Sequence, residues 1–156
     1  MKKLTTLLAA IIITMTATSR DFLGVQFGDS RFTAYYTIAA SYKIAEKTAD
    51  HIVAYENIVF AGIRFQIATF DFAPLLYKVS FMLPSKDALE IYHDTCERLD
   101  KKYGEGKETT KTEGSFCVWI DGKTEISAYF LPAKNGHEDG FMLRYTDITK
   151  SPDDEL

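Results

Sequence analysis

From His51 to Leu83 the chain reads HIVAYENIVFAGIRFQIATFDFAPLLYKVSFML. Aromatic and β-branched residues recur there at the two-residue spacing of a pleated strand. The pattern breaks at Ala61-Gly62 and at Ala73-Pro74. It predicts three strands, about 51–60, 63–72 and 76–83. They must be antiparallel, because a parallel pair needs a crossover of about a dozen residues and there is no room for one. In the second strand the apolar set changes phase. Ile63, Phe65 and Ile67 share one face, and Phe70 and Phe72 the other, so a bulge is expected near Ala68-Thr69. A three-stranded meander cannot bury a face alone, so other elements must cover it.

Two helices are predicted. After Pro84, with Ser85 as N-cap, Leu89, Tyr92, Cys96, Leu99 and Tyr103 recur at intervals of three and four. Asp87 lies in the first turn, Lys101-Lys102 in the last, and Gly104 supplies the C-terminal stop. The narrow apolar stripe on a charged background predicts a helix lying on a surface. An earlier helix, about 31–42, follows Gly28-Asp29-Ser30, with Phe32, Tyr35, Tyr36, Ala39 and Ala40 at helical spacing. Asp21 to Phe27 reads as a first strand or an ordered arm. Lys43 to Asp50 reads as a polar connection with a short strand near Tyr42–Glu46.

Glu105 to Gly114 is polar and reads as a solvated loop. Three more strand signals follow, Ser115–Ile120, Thr124–Leu131 and Gly140–Ile148. Asp121-Gly122 marks a hairpin turn between the first two, and Pro132–Asp139 a longer loop. The expected architecture is α+β: two helix-plus-three-strand repeats, 28–83 and 84–148. They would form one antiparallel sheet of about six strands with two helices on one face.

Met1 to Ser19 stands apart from this pattern. Lys2-Lys3, an apolar run from Leu4 to Met15 and the small residues Ala17-Thr18-Ser19 have the form of a secretory signal peptide cut after Ser19. The chain then divides into a leader (1–19), a single domain (20–150) and an acidic tail (151–156). Cleavage removes two lysines and no acidic residue, so the mature chain is more acidic than the net −4 of the whole. With no basic stripe, nucleic acid is an unsuitable partner. The apolar run is too short for a membrane span, and no Cys follows it to carry a lipid. The 13% aromatic content is high and suits an antiparallel sheet.

The runs FLGVQFGDS, YENIVFAGIRF, LLYKVSF and ALEIYHDTCERLDKKYG resemble small exported bacterial α+β proteins of unassigned function, over about Phe22 to Gly104. The duplicated plan is similar to β-lactamase-inhibitor-protein-like domains and to the outer-membrane-assembly lipoproteins of the BamE type. That resemblance implies a binding scaffold rather than an enzyme.

An even pair of cysteines in an exported chain predicts a Cys96–Cys117 disulfide. Such a bridge requires Cys117, and Trp119 with it, to face the helix layer, with Phe116, Val118 and Ile120 pointing away. Without it, Trp119, Tyr129, Met142 and Arg144 are the expected outer set, of the residue types that dominate binding hot spots. The loop Pro132–Asp139 is the fallback. His93, Cys96 and Glu97 lie close on one helix but fall short of the four ligands of a structural zinc. Asp71, between two phenylalanines, is expected to point to solvent. No nucleophile, metalloprotease or phosphate-loop motif is present, and no cofactor is expected. The terminal Asp-Asp-Glu-Leu is read as a chance likeness to a retention signal. The expected function is an exported, non-enzymatic binding or protein-interaction module of the cell envelope, its partner another envelope or secreted protein. The alternatives are an inhibitor of a secreted or periplasmic enzyme acting through the sheet face, and a carrier of a small apolar ligand.

Overall fold

The computed structural model describes residues 21–45 and 49–150. The expected leader and acidic tail lie outside the described residues. Those described form two helices, α1 (Arg31–Ala39) and α2 (Ala88–Tyr103), and seven strands. The strands are β1 (Ile52–Phe60), β2 (Ile63–Phe72), β3 (Leu76–Pro84), β4 (Lys107–Lys111), β5 (Gly114–Asp121), β6 (Thr124–Leu131) and β7 (Gly140–Asp147). They make one antiparallel sheet in the order β1-β2-β3-β7-β6-β5-β4. The fold is α+β, with a seventh strand where the sequence predicts a loop. That strand, β4, is KETTK, an edge strand whose charged residues carry no periodic apolar signal.

The meander forms where its pattern places it. Ala61 and Gly62, at φ 50° and 79°, make the two-residue turn between β1 and β2. The second hairpin turn sits one residue later than expected. Asp121 pairs with Thr124, so Gly122 and Lys123 are the central residues, and Gly122 takes the positive φ of 60°. The expected bulge also moves. Ala68 and Thr69 pair regularly with both neighbours. The phase change comes instead where the β1–β2 ladder skips Asn57 and Gln66, with Asn57 in the left-handed region at φ 54°. A second irregularity falls between Asp71 and Phe72 against β3.

One cross-strand row defines the covered face. Tyr55, Ala68, Phe81, Leu143, Ala128 and Cys117 stand side by side across six strands, all buried. Both helices lie on this side. The backbone carbonyls of Ala34 and Tyr35 in α1 accept from the Tyr55 hydroxyl, at 3.4 Å each. Crossing over β5, β6 and β7, α2 carries the chain to the far edge. Between the helices the N-terminal arm turns back at Leu23-Gly24 and inserts Phe22, whose ring meets those of Phe27 and Tyr145 at 5.0 and 5.3 Å.

The helix faces differ from the stripes read in the sequence. In α1 Ser30 caps the N-terminus, its hydroxyl accepting from Thr33 N. Its buried residues are Ala34 and Ile38, which let the helix approach Tyr55 closely, while Phe32, Tyr35 and Tyr36 face outward. In α2 Ala88, Tyr92, Thr95 and Leu99 are buried, and Leu89 is 44% exposed. No helix among the described residues is long and apolar enough to cross a membrane.

Candidate binding face of the sheet

The pleat sends alternate residues of each strand to the side the helices leave open. The ladder register assembles them into rows. One row is apolar: Ile67, Met82, Met142, Tyr129 and Phe116. The next is polar around a cation: Thr69, Ser80, Arg144, Ser127 and Val118, ending at Lys107. A third row carries Asp71, Lys78, Thr146, Glu125 and Ile120. An antiparallel sheet with one free face normally alternates apolar-in and polar-out. Here the free face is mixed, and Met82 (38%), Ile120 and Leu131 on it are exposed.

Packing within the open face is tight. The Phe116 and Tyr129 rings stack at 5.7 Å. The Arg144 guanidinium lies 5.2 Å from the centre of the Tyr129 ring, close enough for a cation–π interaction. Its Nε donates to Ser80 Oγ at 3.3 Å and its Nη2 approaches Met142 Sδ at 3.6 Å. Thus Arg144 leans over the apolar row. Ser127, opposite it, is buried and donates to Glu125 Oε1 at 3.0 Å. Contrary to the sequence reading, Asp71 does not point freely to water. It is buried and paired with Lys78, directly opposite, at 3.3 Å.

Three of the four expected site residues, Tyr129, Met142 and Arg144, therefore share this face. Trp119 does not. It pairs with Ile126 on the covered side, is 3% exposed, and donates from Nε1 to Asp100 Oδ1 of α2 at 2.9 Å. Gly106 lies so close over it that an added Cβ would come within 2.5 Å of the indole and of Cys117 Sγ. Phe116, Val118 and Ile120 take the outer side in its place. Sequence reasoning missed Met82, Ser80 and Ser127 as members of the face, and placed Phe116 there only for the case in which Cys117 faces the helices. The parity of Phe116 against Trp119 was the available signal, since burying one exposes the other.

The expected Cys96–Cys117 disulfide is not formed; both are free thiols. Cys117 does face the helix layer. Burial pushes the Cys96 thiol up to about 12 and raises Cys117 as well. The thiolate that disulfide exchange requires is therefore scarce at both positions. Tyr92, beside them, is also pushed up by burial, and its hydroxyl donates to Glu108 Oε1 at 3.3 Å.

Comparison with known protein families, with characterised proteins and with solved structures found no match.

At its β5–β6 end the open face deepens into a pocket of about 210 Å³, floored by Phe116 and Tyr129 and flanked by Lys111, Glu113 and Leu131. On the helix side a groove of about 360 Å³ runs between Phe22, Phe60, Leu99, Tyr103 and Tyr145, with Arg98 and Lys102 at its rim. The loop Pro132–Asp139 is anchored rather than splayed, because Asp139 Oδ1 accepts from Ala133 N at 2.7 Å. No group of three His, Cys, Asp or Glu side chains among the described residues could hold a metal ion. The arrangement offers ring faces, thioethers and one guanidinium for recognition.

Proposed function

We propose that the protein is an exported, non-enzymatic binding module of the cell envelope that docks another envelope or secreted protein through the open face of its sheet. The observation that carries this reading is the apolar row Ile67–Met82–Met142–Tyr129–Phe116 on the face that neither described helix covers. Contiguous apolar surface rimmed by polar groups marks interaction sites. Tyr and Arg beside it are the residues that concentrate binding energy. Met82→Glu tests the reading. The charge should abolish co-purification with the native partner while leaving the melting temperature within a few degrees of the parent. A partner retained by Met82→Glu and lost on substituting the exposed side of α2 would refute it. For export, the intact mass of the secreted protein should correspond to a start at Arg20 or within a few residues; retention of Met1 would contradict it.

A second reading, a carrier of a small apolar ligand, is favoured by the groove between Phe22, Leu99, Tyr103 and Tyr145. An apolar fluorophore that binds the parent and is displaced by Tyr103→Ala, but not by Met82→Glu, would favour the carrier over the docking module.

A further inference from the structure

We infer that Arg144 is the anchor of the open face for a carboxylate: an Asp or Glu side chain of the partner protein, flanked there by apolar residues. The inference rests on the docking reading above and names what is docked. Arg144 sits on β7, near the middle of the seven-stranded sheet, and is half-buried. Its guanidinium has five N–H donors. The protein engages Nε, through Ser80, and one Nη2 hydrogen, weakly, through a thioether. No carboxylate among the described residues lies within ion-pair distance of it; the ion pairs there are Lys43–Glu56, Lys78–Asp71 and Lys101–Glu97.

Of the acidic groups on the open face, Glu113 lies at the pocket end, in the β4–β5 turn, and the three within the strands are engaged elsewhere. Asp71 is neutralised by Lys78 and Glu56 by Lys43. Glu125 accepts from Ser127, on the side of Arg144 away from Met142 and Tyr129, over which the guanidinium leans. Lys107 and Lys111, on the same face, are exposed. A chain with a net charge of −4 thus turns an unneutralised cationic centre toward the one sheet face it leaves open. A planar guanidinium matches a carboxylate through two parallel hydrogen bonds. The ring and thioether surface beneath it favours apolar residues on either side of that carboxylate.

Panning a random dodecapeptide library against the full exported chain tests this. Recovered peptides are then titrated against the parent and against R144Q, R144K, M82E and, on α2, K101Q. Acidic residues beside aromatic or aliphatic ones should be enriched. R144Q should weaken binding about tenfold or more, R144K less but measurably, because a point charge lacks the fork, and K101Q not at all. Should R144Q fail to fold, R144K carries the test. Peptides lost on M82E but free of acidic residues and indifferent to R144Q and R144K would overturn the carboxylate anchor and leave the docking face standing. Acidic peptides weakened as much by K101Q as by R144Q would reduce the effect to general charge attraction and overturn it. Peptides indifferent to both M82E and R144Q, or no binder at all, would overturn both.

Discussion

The two faces of one sheet are built from the same strands and similar residues, yet the described helices cover only one of them. On one side Tyr55, Ala68, Phe81, Leu143, Ala128 and Cys117 meet two helices and an inserted phenylalanine. On the other, at the adjacent position of each strand, Ile67, Met82, Met142, Tyr129 and Phe116 meet neither described helix, and of them Met142 is buried beneath Arg144. Residue type alone does not separate the rows; the helices do. What distinguishes the second row is that its polar neighbour turns a guanidinium over it.

The comparison breaks most readily at adjacent residues of β3. Phe81→Ala should cost about 3–5 kcal/mol, because a ring buried against Phe60, Phe65 and Leu143 leaves a cavity. Urea unfolding checks it. Leu99→Ala, on the buried side of α2, should cost about 2–5 kcal/mol. Lys101→Ala, whose ion pair with Glu97 is exposed, should cost under about 1 kcal/mol.

Trp119→Phe comes next, at about 1–3 kcal/mol, since it removes the indole bond to Asp100 and some buried volume. The same residue gives an optical readout. Native emission should be blue-shifted and resist iodide, and a red, freely quenched spectrum would place Trp119 on the wrong face.

Alkaline pH should act on the covered face. Cys96 and Tyr55 are each pushed up by burial to about 12. The unfolded chain releases those protons first, near the ordinary values of 9.0 and 10.0. Native stability is therefore whole below about pH 9 and declines as the pH rises from there toward 12. A urea midpoint unchanged between pH 8 and pH 10.5 would contradict the burial. The smallest effect belongs to Met82→Ala, under about 1 kcal/mol, because its side chain is already partly in water.

Much of the fold is legible in the sequence because it follows from local periodicity. Ile63–Phe72 matches its expected bounds, and the other two meander strands do so within a residue. The start of β4 is hidden because an exposed edge strand needs no apolar residue; only pairing with β5 defines it. The face of α1 is misread for the opposite reason. Phe32, Tyr35 and Tyr36 make the more apolar stripe, but the close approach of Tyr55 selects the smaller Ala34 and Ile38. At the site, Tyr129, Met142 and Arg144 could be grouped by parity, whereas Trp119 depended on which way β5 faced. That choice was tied to Cys117, and the structure keeps the orientation a disulfide would need without forming the bond.

The docking claim is tested most directly by photo-cross-linking in the native cell. Benzoylphenylalanine is placed, one position at a time, at Phe116 and Tyr129 on the open face and at Glu90 and Asp94 on α2. The open-face positions should give one discrete adduct, lost when Met82→Glu is added, and the α2 positions none. The same adduct from Glu90 or Asp94, with Phe116 and Tyr129 silent, would show that the helix side is the interface and that the open face is not.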